Sequence, residues 1–307
     1  MNKHILVMLF LLGSALAARG DEVRPLRIGV ADSLFGGVPR PAIRAAGSIM
    51  KSLVETQSGM KCEFFHATDA DELVAQLDKK ELDLAVFQGY EYAWLRTQQN
   101  EITPLVLIIK HSRHLHGHLM VRADAPARQI KDLRGQVLGM ARVTRPHCRL
   151  FLDKVCPGED FFNKVSETDS AEELLDDLVD GLVGCALVDE AAYDSFRTRK
   201  PARFAKLREL ARSETFPAAL IAFRAGTLDE EQVKKFRDGM IASGSSVYGR
   251  QLLTLSRTRG FEPIPDDYDR SLADIRKAYP RPSPVRSLLA RPMVPAPTVD
   301  AGTVSAP

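Results

Sequence analysis

The chain has 307 residues, 42 of them Lys or Arg and 40 Asp or Glu, for a formal net charge of +2. Its 45% hydrophobic and 27% charged residues are the make-up of a soluble globular protein and exclude a disordered chain. Basic and acidic residues alternate without a polybasic block, so the charge gives no reason to invoke nucleic acid.

At the N-terminus Lys3 and His4 precede an unbroken apolar run over residues 5–12, and Gly13, Ser14, Ala15, Leu16, Ala17 and Ala18 follow. A short positive segment, an apolar stretch and an A-x-A site make a secretory signal peptide, here residues 1–18 with cleavage after Ala17 or Ala18. The run falls short of the about 20 apolar residues that span a bilayer. Since the first cysteine is Cys62, none marks the cleavage point for a lipid anchor. The expected product is a soluble periplasmic protein with length enough for two ordinary domains.

The elements that follow alternate strand and helix. A strand at Leu26–Ala31 leads into a glycine- and proline-rich loop over residues 32–41. Ile43, Ala46, Met50, Leu53 and Val54 then recur at helical spacing. A second strand occupies residues 61–66, after which Asp69 is placed to cap a helix, with Glu72 reaching back to it. A buried-strand run, Leu84–Phe87, ends in the turn Gln88-Gly89. Residues 102–121 are rich in strand formers and long enough to cross between lobes.

Part of this pattern then repeats. Val137–Ala141 echoes the first strand, Pro146 marks a first helical turn, and residues 168–173 repeat the capped helix start. Aligned on the strands, Ala85-Val86-Phe87-Gln88 matches Ala186-Leu187-Val188-Asp189, and Tyr92 matches Tyr193. Two strand–helix–strand–helix–strand copies predict an α/β protein of two lobes, each a mostly parallel sheet flanked by helices. The lobes would occupy residues 24–110 and 111–205, with residues 206–279 returning the chain and completing the first lobe. Thr227 with Glu230 is read as the cap of a helix over residues 228–241, and a further helix is placed near residues 268–279. Beyond that prolines crowd, and residues 280–307 read as a disordered tail.

Leu82-Asp83-Leu84-Ala85-Val86-Phe87-Gln88-Gly89 resembles the D-L-x-x-x-G stretch of the periplasmic phosphate/phosphite/phosphonate-binding components of ABC transporters. Val121-Arg122-Ala123-Asp124-Ala125-Pro126, followed by Ile130-Lys131-Asp132-Leu133-Arg134-Gly135-Gln136-Val137, is similar to that family's entry into the second lobe. The resemblance runs over residues 26–279. It implies a type 2 periplasmic binding (Venus-flytrap) fold, with two crossing segments joining the lobes. It also implies capture of a small oxyanion or zwitterion of phosphonate or phosphate type for an inner-membrane ABC permease, by a monomer without a cofactor. A periplasmic sensor presenting its loaded state to a membrane receptor is the alternative role. Where the family carries a serine/threonine-rich oxyanion loop, this chain has Arg142-Val143-Thr144-Arg145-Pro146-His147, with only Thr144 keeping the hydroxyl.

Ligands of open α/β sheets sit beyond the carboxyl ends of strands, where helix N-termini favour anions. The expected ligand-binding residues are therefore Asp32, Ser33 and Phe35; Gln88, Gly89 and Tyr90; Arg142, Thr144 and Arg145; and Asp189. The arginines suit a bidentate grip on an oxyanion, while Asp32, Glu91 and Asp189 suit an amine, which together favours a zwitterion or amino-bearing anion. His111, His114, His116 and His118 form a second cluster. On a strand the last three would share a face and offer a metal site; the plainer reading is histidines facing water on an exposed crossing. Cys62, Cys148, Cys156 and Cys185 match no zinc spacing, and a Cys156–Cys185 disulfide and buried free thiols both stay open. His147 beside Cys148 lacks a third orienting group, so no catalytic residue is assigned and the chain is not expected to be an enzyme.

Overall fold

The computed structural model describes residues 24–35, 38, 40–97 and 101–282. The signal peptide expected at residues 1–18 lies outside the described residues, as does most of the tail expected to be disordered over residues 280–307; its first residues, 280–282, are described, and Arg281 there pairs with Asp71. Among the described residues no helix is long and apolar enough to cross a membrane.

The chain opens with β1 (Leu26–Ala31), α1 (Arg40–Ser58), β2 (Cys62–Ala67), α2 (Ala70–Asp78), β3 (Leu84–Phe87) and α3 (Gly89–Leu95). It crosses through β4 (Ile102–Ile109), β5 (His114–Leu115) and β6 (Gly117–Arg122). A second run follows: β7 (Val137–Ala141), α4 (Pro146–Val155), β8 (Lys164–Thr168), α5 (Ala171–Asp180), β9 (Cys185–Asp189), α6 (Glu190–Arg199) and α7 (Pro201–Phe204). The return path is β10 (Leu207–Arg212), β11 (Phe216–Pro217) and β12 (Ala219–Arg224). Then come α8 (Glu230–Ile241), α9 (Val247–Leu255), β13 (Gly260–Glu262) and α10 (Tyr268–Ala278).

One lobe is built on a six-stranded sheet, β13-β4-β12-β3-β1-β2, and the other on a five-stranded sheet, β10-β6-β9-β7-β8. Within each, three strands are parallel and in the same order: β3-β1-β2 and β9-β7-β8. The mostly parallel expectation is corrected for the rest. The crossing and return strands join as antiparallel neighbours, β12 between β3 and β4, and β6 between β9 and β10, so both sheets are mixed. Between the lobes β5 and β11 form a two-stranded hinge ribbon.

The internal repeat extends to packing. A Cβ at Gly29 in β1 would lie 2.5 Å from Leu73 of α2 and 2.3 Å from Leu82. A Cβ at Gly139 in β7 would lie 2.3 Å from Leu174 of α5 and 3.2 Å from Val183. In both lobes a glycine on the central strand lets the same helix press its leucine onto the sheet. The helix starts correspond too: Asp69 and Ser170 accept the N–H of Glu72 and Glu173, and Gln88 and Asp189 sit at the N-caps of α3 and α6. The cap of α8 is Asp229 paired with Gln232, not Thr227, whose hydroxyl donates to the Arg224 carbonyl and closes the preceding turn.

A continuous apolar core runs from the α2–α3–α10 side of the first lobe through the hinge into the second. The opposite faces carry their own clusters, under α1, α8 and α9 in one lobe and under α5 and α6 in the other. Phe216 of the hinge ribbon is fully buried among Tyr90, His147 and Tyr279. Gly89 lies against the same path: a Cβ there would meet the Pro217 carbonyl at 2.4 Å and that of Ala218 at 2.7 Å. At the start of β1, buried Asp83 accepts from the Arg27 backbone N–H and from the guanidinium groups of Arg24 and Arg27. Burial alone would raise its carboxyl; those hydrogen bonds outweigh it and hold the pKa below the ordinary value. All four cysteines are buried free thiols, so the open question of a Cys156–Cys185 bridge resolves to unpaired groups.

Candidate ligand-binding cleft

Where the two sheets face each other lies a cleft with a cavity volume of about 220 Å³. One wall is the turn after β1, giving Leu34, Phe35 and Val38. The other is the end of β7 and the start of α4, residues 141 and 143–146, with Ala171 and the β9 end Leu187, Val188 and Asp189. Arg257, in the turn after α9, reaches the cleft from the first lobe. Nine of these thirteen residues are apolar; Thr144, Arg145, Asp189 and Arg257 are the polar ones.

The polar residues of the second lobe are locally tied. Pro146 at the first helical position fixes the entry to α4, and Arg145 occupies its N-cap without a side-chain capping bond. That frees the guanidinium to pair with Asp189 at 3.4 Å. Asp189 also accepts the Ala192 N–H at 2.8 Å and so caps α6. The Thr144 hydroxyl donates to the Ala141 carbonyl at 2.6 Å, so its proton is already committed. Arg257 adopts a left-handed backbone (φ 52°), and its guanidinium has no ion-pair partner among the described residues. Arg145 and Asp189 offset each other, which leaves the cleft one net positive side-chain charge.

Arg257 also borders an adjoining groove with Lys110, Arg250 and Arg259. His147, one residue inside α4, is buried, and burial drives its imidazole down to about 4, so the ring is neutral near pH 7. Its Nε2 has no hydrogen-bond partner among the described residues.

Of the residues expected from sequence, Phe35, Thr144, Arg145 and Asp189 come together in this cleft. The others do not line it. Arg142 turns to Asp169 at 3.4 Å on the surface of the second lobe. Asp32 is exposed, and Ser33 accepts the Gln88 side-chain amide through its carbonyl at 3.4 Å, behind the Leu34–Phe35 wall. Gly89 faces the hinge backbone, and Tyr90 is buried against Trp94 and Phe216. The turn expected at Gln88-Gly89 is instead the N-cap and first residue of α3. Its Glu91 is buried, which pushes the carboxyl pKa up, and accepts the Gln88 N–H at 3.1 Å. Of the three acids suited to an amine, only Asp189 reaches the cleft, and Arg145 and the α6 cap already engage it.

The histidine cluster is dispersed, because β5 covers only His114–Leu115 and a new strand begins at Gly117. His114 alone is exposed. His111 pairs with Asp194 at 3.0 Å, and His116 meets the Ser213 carbonyl at 3.2 Å. His118 is fully buried between Glu209 (2.7 Å) and Glu190 (3.1 Å) and stacks on Tyr193, so the water-facing expectation is corrected for it. Among the described residues no three His, Cys, Asp or Glu side chains converge to hold a metal. Burial raises the Cys148 thiol well above its ordinary value, and the thiol lies 3.8 Å from the Val188 carbonyl.

Comparison with known proteins bears on the whole arrangement. Residues 43–268 match the family described as ABC transporter, phosphonate, periplasmic substrate-binding protein. No curated protein matches the chain. Among solved structures, a Xanthomonas citri protein bound to ATP superposes with a TM-score of 0.57 at 18% identity, covering 83% of this chain and 96% of that one. A binding protein component of an ABC phosphonate transporter from Pseudomonas aeruginosa gives 0.53 at 13% identity, covering 82% and 85%. PhnD1 from Prochlorococcus marinus, in complex with methylphosphonate, gives 0.55 at 11% identity, covering 82% and 97%. At these identities the structural likeness speaks for the two-lobed binding fold alone.

Proposed function

The chain belongs to the family of periplasmic substrate-binding proteins of phosphonate ABC transporters, and from that premise we propose that its cleft binds a small phosphonate-type anion through Arg145 and Arg257. The single observation that carries this reading is that two arginines from opposite lobes line one cleft with one surplus positive charge. Arg145 presents its guanidinium from the second lobe. Arg257, without a carboxylate partner among the described residues, approaches from the first. An anion between them is attracted by both lobes and so favours their closure, since a ligand stabilises the state it contacts most. The N-terminal turn of α4 adds a favourable dipole behind Arg145.

Delivery of the loaded state to an inner-membrane permease follows from the family, and the protein acts as a monomer exported by its cleavable leader. The sensor and metal-binding alternatives have no feature of the cleft in their favour. In a thermal-shift and calorimetric test with methylphosphonate, phosphate and 2-aminoethylphosphonate, ligand at 100 times its dissociation constant adds about 2.7 kcal/mol of stability. Arg145→Ala should abolish binding, whereas Arg142→Ala should leave it intact, because Arg142 points to Asp169. Loss of binding in Arg142→Ala with retention in Arg145→Ala would place the anion elsewhere.

A further inference from the structure

The lining of the cleft goes further than the sign of its charge. Bare phosphate presents oxygen on every side, and each oxygen needs a donor once water is expelled. Here Leu34, Phe35, Val38, Val143, Leu187 and Val188 supply none. The one hydroxyl among the described lining residues, on Thr144, spends its proton on the Ala141 carbonyl. Among the described lining side chains, donors free for a ligand are therefore confined to the two arginines. An oxygen turned toward the apolar side chains stays unsatisfied, which is costly once the lobes close over the ligand and expel water. Carbon in the same place releases water from apolar surface and gains affinity.

Size points the same way. An apolar cavity of about 150 Å³ accommodates benzene, and this cleft offers about 220 Å³. The difference is room for one compact anionic head. Methylphosphonate would leave much of the apolar wall without a partner.

Building on the anion reading above, we propose that the cleft selects a phosphonate bearing an apolar substituent of about four to six carbons, alkyl or aryl, over both phosphate and methylphosphonate. The head lies with Arg145 and Arg257, and the substituent packs on Phe35, Val143 and Leu187.

Isothermal calorimetry on the mature protein with phosphate and methyl-, propyl-, butyl-, phenyl- and octylphosphonate tests this. Affinity should rise about fourfold per methylene from methyl to butyl and fall at octyl, which exceeds the cavity. Phe35→Ser should shrink the butyl-to-methyl affinity ratio several-fold. Should Phe35→Ser fail to fold, Val143→Ser, at a side chain already 45% exposed, makes the same measurement. Methylphosphonate or phosphate binding as tightly as butylphosphonate overturns the proposal while leaving the anion reading standing. If no member of the series binds, the anion reading fails and this one with it.

Discussion

Replacing Asp189 with asparagine (Asp189→Asn) separates the two roles that this side chain combines. Asparagine keeps an oxygen to accept the Ala192 N–H, so α6 retains its cap. What disappears is the charge facing Arg145 at 3.4 Å, and because that arginine is nearly half exposed the pair contributes no more than about 1 kcal/mol to folding. For a bound anion the effect has the opposite sign. The cleft's side-chain charge rises from one net positive to two, and a repulsive carboxylate is gone. At ~6 Å and an effective dielectric between about 20 and 80, that repulsion is ~0.7–3 kcal/mol. Affinity for methylphosphonate should therefore rise roughly 3- to 100-fold, as measured by calorimetry at pH 7 and low salt. The gain should shrink toward 1 M salt, where the screening length falls to about 3 Å. Urea denaturation should show a loss of less than about 1 kcal/mol. Weaker anion binding in the variant, or a folding loss beyond about 2 kcal/mol, would refute the assignment of Asp189 as a charge that restrains Arg145.

Two further outcomes concern the frame around the cleft. Asp83→Asn should cost roughly 1–3 kcal/mol, discounted toward the lower end because Arg24 is 60% exposed and returns to water. Since the folded-state pKa of Asp83 is depressed, its contribution is present above the unfolded value of about 3.9 and is lost as pH falls through the folded value. The wild type should therefore lose more stability than the variant between pH 5 and pH 2 in parallel urea titrations, and equal losses would contradict the buried clamp. Gly89→Ala should destabilise by about 1–3 kcal/mol, since the backbone carbonyls of Pro217 and Ala218 cannot rotate away from the new methyl. A thermal melt unchanged within a degree would show that α3 and the hinge are not so closely apposed.

The architecture was legible because both copies carry their own local punctuation. Asp69 with Glu72 and Ser170 with Glu173 announce equivalent helix starts, and the matched strands around Ala85 and Ala186 place those helices beside the parallel strands of each sheet. Phe35, Thr144, Arg145 and Asp189 were found by position, at the carboxyl ends of strands. Arg257 was not, because it belongs to a turn after α9 that carries no motif and reaches the cleft only when the chain returns to the first lobe. Arg142 and Arg145 look equivalent in a sequence, yet Pro146 starts a helix that fixes one toward Asp189 while the other follows the edge toward Asp169. The burial of His118 depends on Glu190 and Glu209, which lie 72 and 91 positions away, and no local pattern reports such a pairing. At α8 two capping candidates stand two residues apart, and the turn closed by Thr227 leaves the cap to Asp229.

The interleaving of the two sheets along the chain sets an order of assembly. Every strand of the five-stranded sheet comes from residues 117–212, one uninterrupted stretch. The six-stranded sheet cannot close that way, because β12 inserts between β3 and β4 and β13 covers the edge of β4. Contacts between segments close in sequence form sooner than those that must bring distant segments together. As the chain emerges N-terminus first, the second lobe can form while the first still holds an open gap between β3 and β4. That gap fills only when residues 219–224 arrive. The N-terminal half thus stays unlocked until most of the chain is present, and the cleft comes into being last.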